Sequence, residues 1–94
     1  MNKLEECRIK IDELDSKIAQ LYEFRMSIVK EVVKYKIQEG LPVLDEDRET
    51  EMLTRNVKNI QNDEYKSYYK TVLKGFLDAS KDMQMDIFNA MNKE

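Results

Sequence analysis

The sequence predicts an all-α fold of three helices, of which the first is much longer than the other two. Apolar residues recur at spacings that alternate between three and four, which is the period of a packed helix. The 94 residues include only two glycines and one proline, so the chain has few places to turn. No segment shows the strict alternation of a half-buried strand, and no internal repeat is present.

The first helix is predicted from Asn2 to about Ile37. Asn2 with Glu5 three residues later is typical of a capping box, which satisfies free backbone N–H groups at a helix start. Gly40-Leu41-Pro42 is the clearest turn in the chain and ends this helix. Between them runs an apolar stripe, broken only by Arg25: Leu4, Cys7, Ile11, Leu14, Ile18, Leu21, Ile28, Val32 and Tyr35.

Two further helices follow the turn. Asp45 is placed to cap a short second helix that starts with Glu46 and Asp47, and the acidic pair suits the positive end of the helix dipole. Its apolar side is predicted to be Met52, Leu53, Val57 and Ile60. The third helix is predicted to start at Asp63 and Glu64. Its buried side is predicted to run through Tyr65, Tyr69, Val72, Leu73, Phe76, Leu77, Met83, Ile87, Phe88 and Met91.

The length of the first helix predicts a partner chain. About 35 helical residues extend roughly 50 Å. A compact 94-residue globule has a radius of gyration of about 12 Å and a diameter of only some 30 to 35 Å. We therefore expect residues 1–94 to form a single domain in an obligate homodimer whose long helices lie side by side. A helix from a different protein would satisfy the same argument.

Composition and charge argue against some classes of binding partner. The 16 basic and 19 acidic residues give a net charge of −3 and an isoelectric point near 5.1, which argues against nucleic acid or an anionic membrane as the main partner. No stretch is apolar for long enough to span a bilayer, and the N-terminus lacks the apolar region of a signal peptide. We therefore expect a cytoplasmic protein.

Each predicted helix carries polar residues on its apolar side. Arg25 interrupts the stripe of the first helix, and Lys36 lies three turns later on the same face. Ser80 and Gln84 are one turn apart on the third helix. The second helix has Glu49 one turn before its apolar residues, and beside it stand Arg48 and, at the cap, Asp45.

These polar residues have a structural and a functional interpretation. A seam arginine can pair with a glutamate or set the register of a coiled coil, and a helical serine can bond the carbonyl four residues back. Together, however, they describe a pocket in a helical bundle with an excess of positive charge. Because a buried guanidinium needs an anion, the expected ligand is small and anionic, such as a carboxylate.

The chemistry open to such a pocket is narrow. The chain has no histidine, no glycine-rich phosphate loop, no metal-ligand cluster and no plausible nucleophile. We therefore expect neither a metal nor a cofactor. What remains is catalysis by orienting a substrate and by aiming fixed donors at developing charge.

The residues resemble the all-helical, type II class of monofunctional chorismate mutases over essentially the whole chain. The opening segment reads Cys7-Arg8-x-x-Ile11-Asp12-x-Leu14-Asp15, and the segment after the turn reads Pro42-Val43-x-Asp45-x-x-Arg48-Glu49. Arg25, Lys36 and the pair Ser80-x-x-x-Gln84 complete the pattern. The resemblance implies an intertwined homodimer that converts chorismate to prephenate in phenylalanine and tyrosine biosynthesis, a pericyclic rearrangement without covalent catalysis.

The resemblance also implies roles at one end of the substrate. Arg25 and Arg8 would bind the two carboxylates, with Arg8 reaching into the site of the other protomer. The helical angle agrees, because Arg8 lies seventeen residues before Arg25 and about 100° away round the helix. Lys36 and Gln84 would donate to the ether oxygen whose bond breaks. Each dimer would hold two shared sites.

At the other end, Glu49 with the backbone near Asp45 would hold the ring hydroxyl, and Arg48 and Ser80 would complete the anion pocket. Lys81 departs from the family pattern, because it stands where the resemblance implies an apolar residue against the substrate ring.

Three alternatives remain at this level. Isochorismate-pyruvate lyase shares the fold and the cationic pocket, and the retained Glu49 and Gln84 favour the mutase over it. A weakly active or regulatory mutase-like module would partner another enzyme of the shikimate pathway. A purely structural helical dimer would leave Arg25 and Lys36 on a core face at a cost in stability.

Overall fold

A computed structural model describes residues 1–92 and confirms the all-α fold. The three helices are α1 (Lys3–Gln38), α2 (Glu46–Val57) and α3 (Lys66–Met91), and a 3₁₀ turn at Asp63–Tyr65 precedes α3. The last two residues of the predicted domain, 93 and 94, lie outside the described residues.

The ends of α1 follow the predicted signals closely. The Asn2 side-chain oxygen accepts a hydrogen bond from the Glu5 backbone N–H at 2.9 Å, and the Asn2 amide donates to the Glu5 carboxylate at 3.4 Å. At the other end Gly40 has a φ of 66°, which glycine adopts without strain. The N–H groups of Gly40 and Leu41 turn back to the carbonyls of Ile37 and Lys36, which closes the helix with a Schellman motif.

Helix α2 has the predicted N-terminal cap, but it ends earlier than predicted. The Asp45 carboxylate accepts from the Arg48 backbone N–H at 3.0 Å. The helix stops at Val57, so the prediction that Ile60 belongs to its apolar side was wrong. The Ile60 N–H bonds the Val57 carbonyl three residues back, and the Asn56 side chain takes the Met52 carbonyl, so that local bonds compete with the helix.

The start of α3 also differs from the prediction, because its first turn is 3₁₀. The Asn62 side chain caps this turn by accepting from the Glu64 N–H at 3.0 Å. An ion pair of 2.7 Å joins Asp63 to Lys66, and this hydrogen bond and charge lower the pKa of the exposed Asp63 carboxyl. Regular α-helix begins only at Lys66.

The third helix is the centre of the fold, because it contacts both α1 and α2. Its buried residues include Leu73, and the other buried apolar side chains are Val33 on α1 and Met52 on α2. The two helices run in the same direction, because residue numbers rise together in three of the pairs that join them: Tyr22–Phe76, Arg25–Ser80 and Lys36–Gln84.

The first half of α1 is not covered within one chain. All residues from Lys3 to Phe24 are exposed except the half-buried Cys7, and the molecule extends 58 × 27 × 14 Å. The 26 residues of α3 are too few to cover the 36 of α1. Three residues predicted on the buried side of α3, namely Tyr65, Val72 and Met91, are also exposed in the single chain. Within residues 1–92, no helix has the length and apolar character needed to cross a membrane.

Candidate active site

The three helices enclose a cavity of about 160 Å³ between the second half of α1, the start of α2 and the second half of α3. Seven of the eight predicted site residues line it: Arg25, Lys36, Asp45, Arg48, Glu49, Ser80 and Gln84. Its apolar wall consists of Val29, Val32, Val43, Met52 and Leu77. The structure therefore gathers polar groups that are far apart in the sequence onto one small cavity.

Arg25 is held by neutral groups. Its Nη1 donates to Ser80 Oγ at 2.6 Å, and that hydroxyl donates in turn to the Phe76 carbonyl at 2.8 Å. The Arg25 guanidinium also lies over the Phe76 ring, 5.8 Å from its centroid. No ion pair joins Arg25 to an acidic residue within residues 1–92. Its positive charge is therefore available to an anionic ligand, and among residues 1–92 it does not pair with a glutamate.

Lys36 and Gln84 form a second fixed group at the side of the cavity. Lys36 Nζ donates to the Val43 carbonyl at 2.8 Å and to Gln84 Oε1 at 3.3 Å. Because Gln84 Oε1 already accepts from Lys36, the buried Gln84 amide keeps its N–H₂ group as a donor. Two donors thus stand side by side where a ligand oxygen could meet both.

Both acidic residues that line the cavity already accept a hydrogen bond from another residue. Asp45 uses its carboxylate to cap α2, and Glu49 Oε2 accepts from Lys81 Nζ at 3.3 Å. The third cation of the cavity, Arg48, is 56% exposed and makes only a 3.4 Å ion pair with Glu51. An exposed pair of this kind is worth little, so Arg48 can turn to an anionic ligand at small cost.

Arg8 is the one predicted site residue that the single chain does not bring to the cavity. It is exposed on α1 and, at about 1.5 Å per residue, lies roughly 25 Å along the helix from Arg25. A guanidinium side chain cannot span that distance. Only an Arg8 from another molecule could reach this cavity.

Sequence reasoning missed two features of the site. The Val43 carbonyl, which accepts from Lys36, has no signal in the sequence because every residue type carries a backbone carbonyl. Lys81 does not line the cavity, contrary to the expectation that it would face a substrate ring, and reaches Glu49 instead. The i, i+4 step from Ser80 to Gln84 places those two side chains inward and turns Lys81 about 100° away.

The arrangement suits binding and polarising rather than covalent chemistry. Arg25, Lys36 and Arg48 supply positive charge, and the valines with Met52 and Leu77 supply an apolar wall. The Ser80 hydroxyl is bonded to Arg25 and to a backbone carbonyl, so no general base activates it. A small dianion with an apolar ring fits this combination of charge and surface.

Comparison with known proteins agrees with the motifs. A family model described as chorismate mutase type II matches residues 7–85. The chorismate mutase of Methanocaldococcus jannaschii is 47% identical over 49 residues, which are 52% of this chain and 50% of that protein. The T-protein of Haemophilus influenzae is 42% identical over 53 residues, which are 56% of this chain and 14% of that protein.

The aligned segment thus spans half the length of the archaeal relative, and less of the T-protein. The family model, in contrast, covers most of this chain, including every predicted site residue. The resemblance inferred from the sequence is confirmed, and the chain belongs to the type II chorismate mutase family.

Proposed function

We propose that this chain is an isomerase that converts chorismate to prephenate, the step that leads toward phenylalanine and tyrosine. Membership of the family supports the reaction, and the cavity supplies groups that suit it. Chorismate carries two carboxylates, a ring hydroxyl and an ether oxygen. Its rearrangement breaks the ether bond and forms a carbon–carbon bond in one step, so it needs neither a nucleophile nor a base.

The pair formed by Lys36 and Gln84 is the observation that carries this proposal. Negative charge develops on the ether oxygen as its bond to carbon breaks. A hydrogen bond of 3.3 Å from Lys36 Nζ to Gln84 Oε1 holds the two side chains together. The lysine ammonium and the free N–H₂ group of Gln84 are therefore both placed to donate to one oxygen. Donors fixed in advance stabilise the transition state more than the ground state, and this difference accelerates the reaction.

The arginines bind and orient the substrate in this proposal. Arg25, positioned by Ser80, takes one carboxylate, and Arg48 exchanges Glu51 for the substrate. The Glu49 carboxylate accepts a hydrogen bond from the ring hydroxyl, and the backbone near Asp45 donates one to it. Fixing a flexible molecule in a reactive conformation removes part of the entropic barrier to its rearrangement.

The second carboxylate needs Arg8, and Arg8 needs a second copy of the chain. The exposed half of α1 carries an unbroken apolar stripe, and Leu21 is 69% exposed. Monomeric proteins rarely leave so long an apolar face in water. We therefore propose an intertwined homodimer in which this face is covered and each Arg8 enters the cavity of the other chain, which gives two sites per dimer.

Product analysis tests the proposed function. Purified protein is incubated separately with chorismate and with isochorismate, and the products are separated by chromatography. Prephenate from chorismate, with no pyruvate or salicylate from isochorismate, supports the mutase. Pyruvate release from isochorismate would identify the lyase instead, and no turnover of either compound would favour a regulatory module. A cytoplasmic location and a partner enzyme stay predictions.

A further inference from the structure

One ion pair links a residue of the cavity, Glu49, to Lys81, a residue outside it to which the proposed chemistry gives no role. Lys81 Nζ on α3 donates to Glu49 Oε2 on α2 at 3.3 Å. The Glu49 side chain is 22% exposed and the Lys81 side chain 37%, so the pair is partly shielded from water. Lys81 does not itself line the cavity that Glu49 lines.

The pair occupies one oxygen of the Glu49 carboxylate. Among the described residues, Lys81 is the one partner that bonds the Glu49 side chain, and it takes Oε2. A carboxylate has two oxygens, so Oε1 is left to accept from a donor in the cavity. A hydroxyl group of the ligand is such a donor.

The pair also restrains a charge that could oppose binding. Glu49 shares its cavity with three cations, Arg25, Lys36 and Arg48, which the dianionic substrate must reach. A carboxylate without a partner of its own would be drawn to those cations and would compete with the substrate carboxylates. Lys81 offers Glu49 a cation on the other side, in a second cavity lined by Lys74 and Asp78 as well as by Glu49 and Lys81.

We infer that Lys81 is a positioning residue for substrate binding, which holds Glu49 against α3 with one oxygen toward the ring hydroxyl and keeps its charge away from the carboxylate-binding arginines. The inference rests on the proposed function, since it assigns the recognition of the ring hydroxyl to a pair of residues rather than to Glu49 alone. Lys81 acts through Glu49 and does not touch the substrate.

The test compares Lys81→Met, which keeps the length of the side chain and removes its charge, with the wild-type chain. Because the ring hydroxyl is bound in both the ground state and the transition state, KM for chorismate should rise about threefold to tenfold while kcat changes less than about twofold. Lys81→Arg should restore most of the affinity. In a Glu49→Gln background, Lys81→Met should have no further effect on KM, because the residue through which it acts is already altered.

Lys74→Met is the matched control for the loss of one positive charge near an anionic ligand. Lys74 lies on α3 two turns before Lys81 and lines the same outer cavity, and no bond joins it to Glu49. The KM of Lys74→Met for chorismate should equal that of the wild type. Equal effects of the two methionine variants, or the same effect of Lys81→Met with and without Glu49→Gln, would overturn the inference.

Titration calorimetry with chorismate, in a Gln84→Ala background so slow that the substrate is not consumed during the titration, gives Kd and separates this inference from the proposed function. Wild-type turnover with an unchanged KM and Kd in Lys81→Met would overturn the role of Lys81 alone. A wild-type chain that neither converts nor binds chorismate would overturn both. A fall in thermal stability without a change in Kd would show that the pair serves only to join α2 to α3, and would also overturn the inference.

Discussion

Arg25 and Ser80 are joined by a hydrogen bond of 2.6 Å, although 55 residues separate them in the chain. The serine hydroxyl is buried and is itself fixed by the Phe76 carbonyl one turn earlier in α3. The guanidinium thus has a neutral support and keeps its full positive charge for a ligand. This contact explains how an arginine occupies an otherwise apolar helix face.

Replacing Ser80 by alanine should weaken the binding of the substrate. Arg25 would lose its hydrogen-bond acceptor, and a hydrogen bond to a charged group contributes about 1.5 kcal/mol or more. We expect KM for chorismate to rise about tenfold, with a smaller change in kcat, in steady-state kinetics. Ser27→Ala is the control, because Ser27 is exposed on α1 and bonds only the Phe24 carbonyl. Equal KM values for both variants would contradict the role of Ser80.

Gln84 predicts how the rate depends on pH. An amide donates at any ordinary pH, so the wild-type rate should vary little between pH 6 and 8, on the order of twofold or less. A steep fall of the rate over that range would count against Gln84 as the donor. The measurement is kcat/KM across the range in buffers of constant ionic strength.

A glutamate at the same position should make the rate depend on pH. Only the protonated carboxyl can donate, and an unperturbed glutamate has a pKa of about 4.3. Gln84→Glu should therefore be poor at neutral pH and recover as the pH falls toward that value. A Gln84→Glu profile parallel to that of the wild type would contradict a donor role.

Mixed dimers test whether Arg8 acts in the other chain. Arg8→Ala and Gln84→Ala are each expected to be nearly inactive. Free exchange of subunits gives hybrids in half of the dimers, and one of the two sites in each hybrid then has all its residues. Activity should return to about a quarter of the wild-type value.

The activity of the mixture shows whether Arg8 acts in its own chain or in the other chain of the dimer. If Arg8 served the cavity of its own chain, every site in the hybrid would lack one residue. Mass spectrometry of the intact dimers shows whether the subunits have exchanged. Hybrid dimers that form without any recovery of activity would contradict the shared site.

The exposed stripe of α1 should control association. Leu21→Glu places a carboxylate on the face that we propose is buried between chains, so we expect a monomer at micromolar concentration in sedimentation equilibrium. Gln20→Glu adds the same charge one residue away, off the stripe, and should leave the dimer intact. A Leu21→Glu dimer as tight as the wild type would contradict an interface along this stripe.

The helices were predictable because their signals are local. Asn2, Asp45 and Gly40 each act within one turn of chain, so caps and ends can be read from a few neighbouring residues. The end of α2 was not predictable from periodicity alone, because the side-chain bond of Asn56 competes with the helix in a way that apolar spacing does not record.

The candidate site was predictable as a set of residues but not as a geometry. Polar residues on apolar faces marked Arg25 and Gln84 as inward-facing. The Val43 carbonyl and the partner of Glu49 depend on how three helices meet, which the spacing within any one helix does not specify. Lys81 was expected against the substrate ring because the family resemblance implies an apolar residue at that position, whereas the helical turn directs it to Glu49.

The role of Lys36 and Gln84 in the rearrangement is tested by kcat for the conversion of chorismate to prephenate, compared between the wild type and Gln84→Ala. Circular dichroism establishes that both are folded, and Gln38→Ala, at the exposed end of α1, is the control. If Lys36 and Gln84 stabilise the charge on the ether oxygen, kcat should fall by about two to three orders of magnitude in Gln84→Ala and stay near wild type in Gln38→Ala. A Gln84→Ala enzyme that forms prephenate at the wild-type kcat would contradict stabilisation of the ether oxygen by this pair.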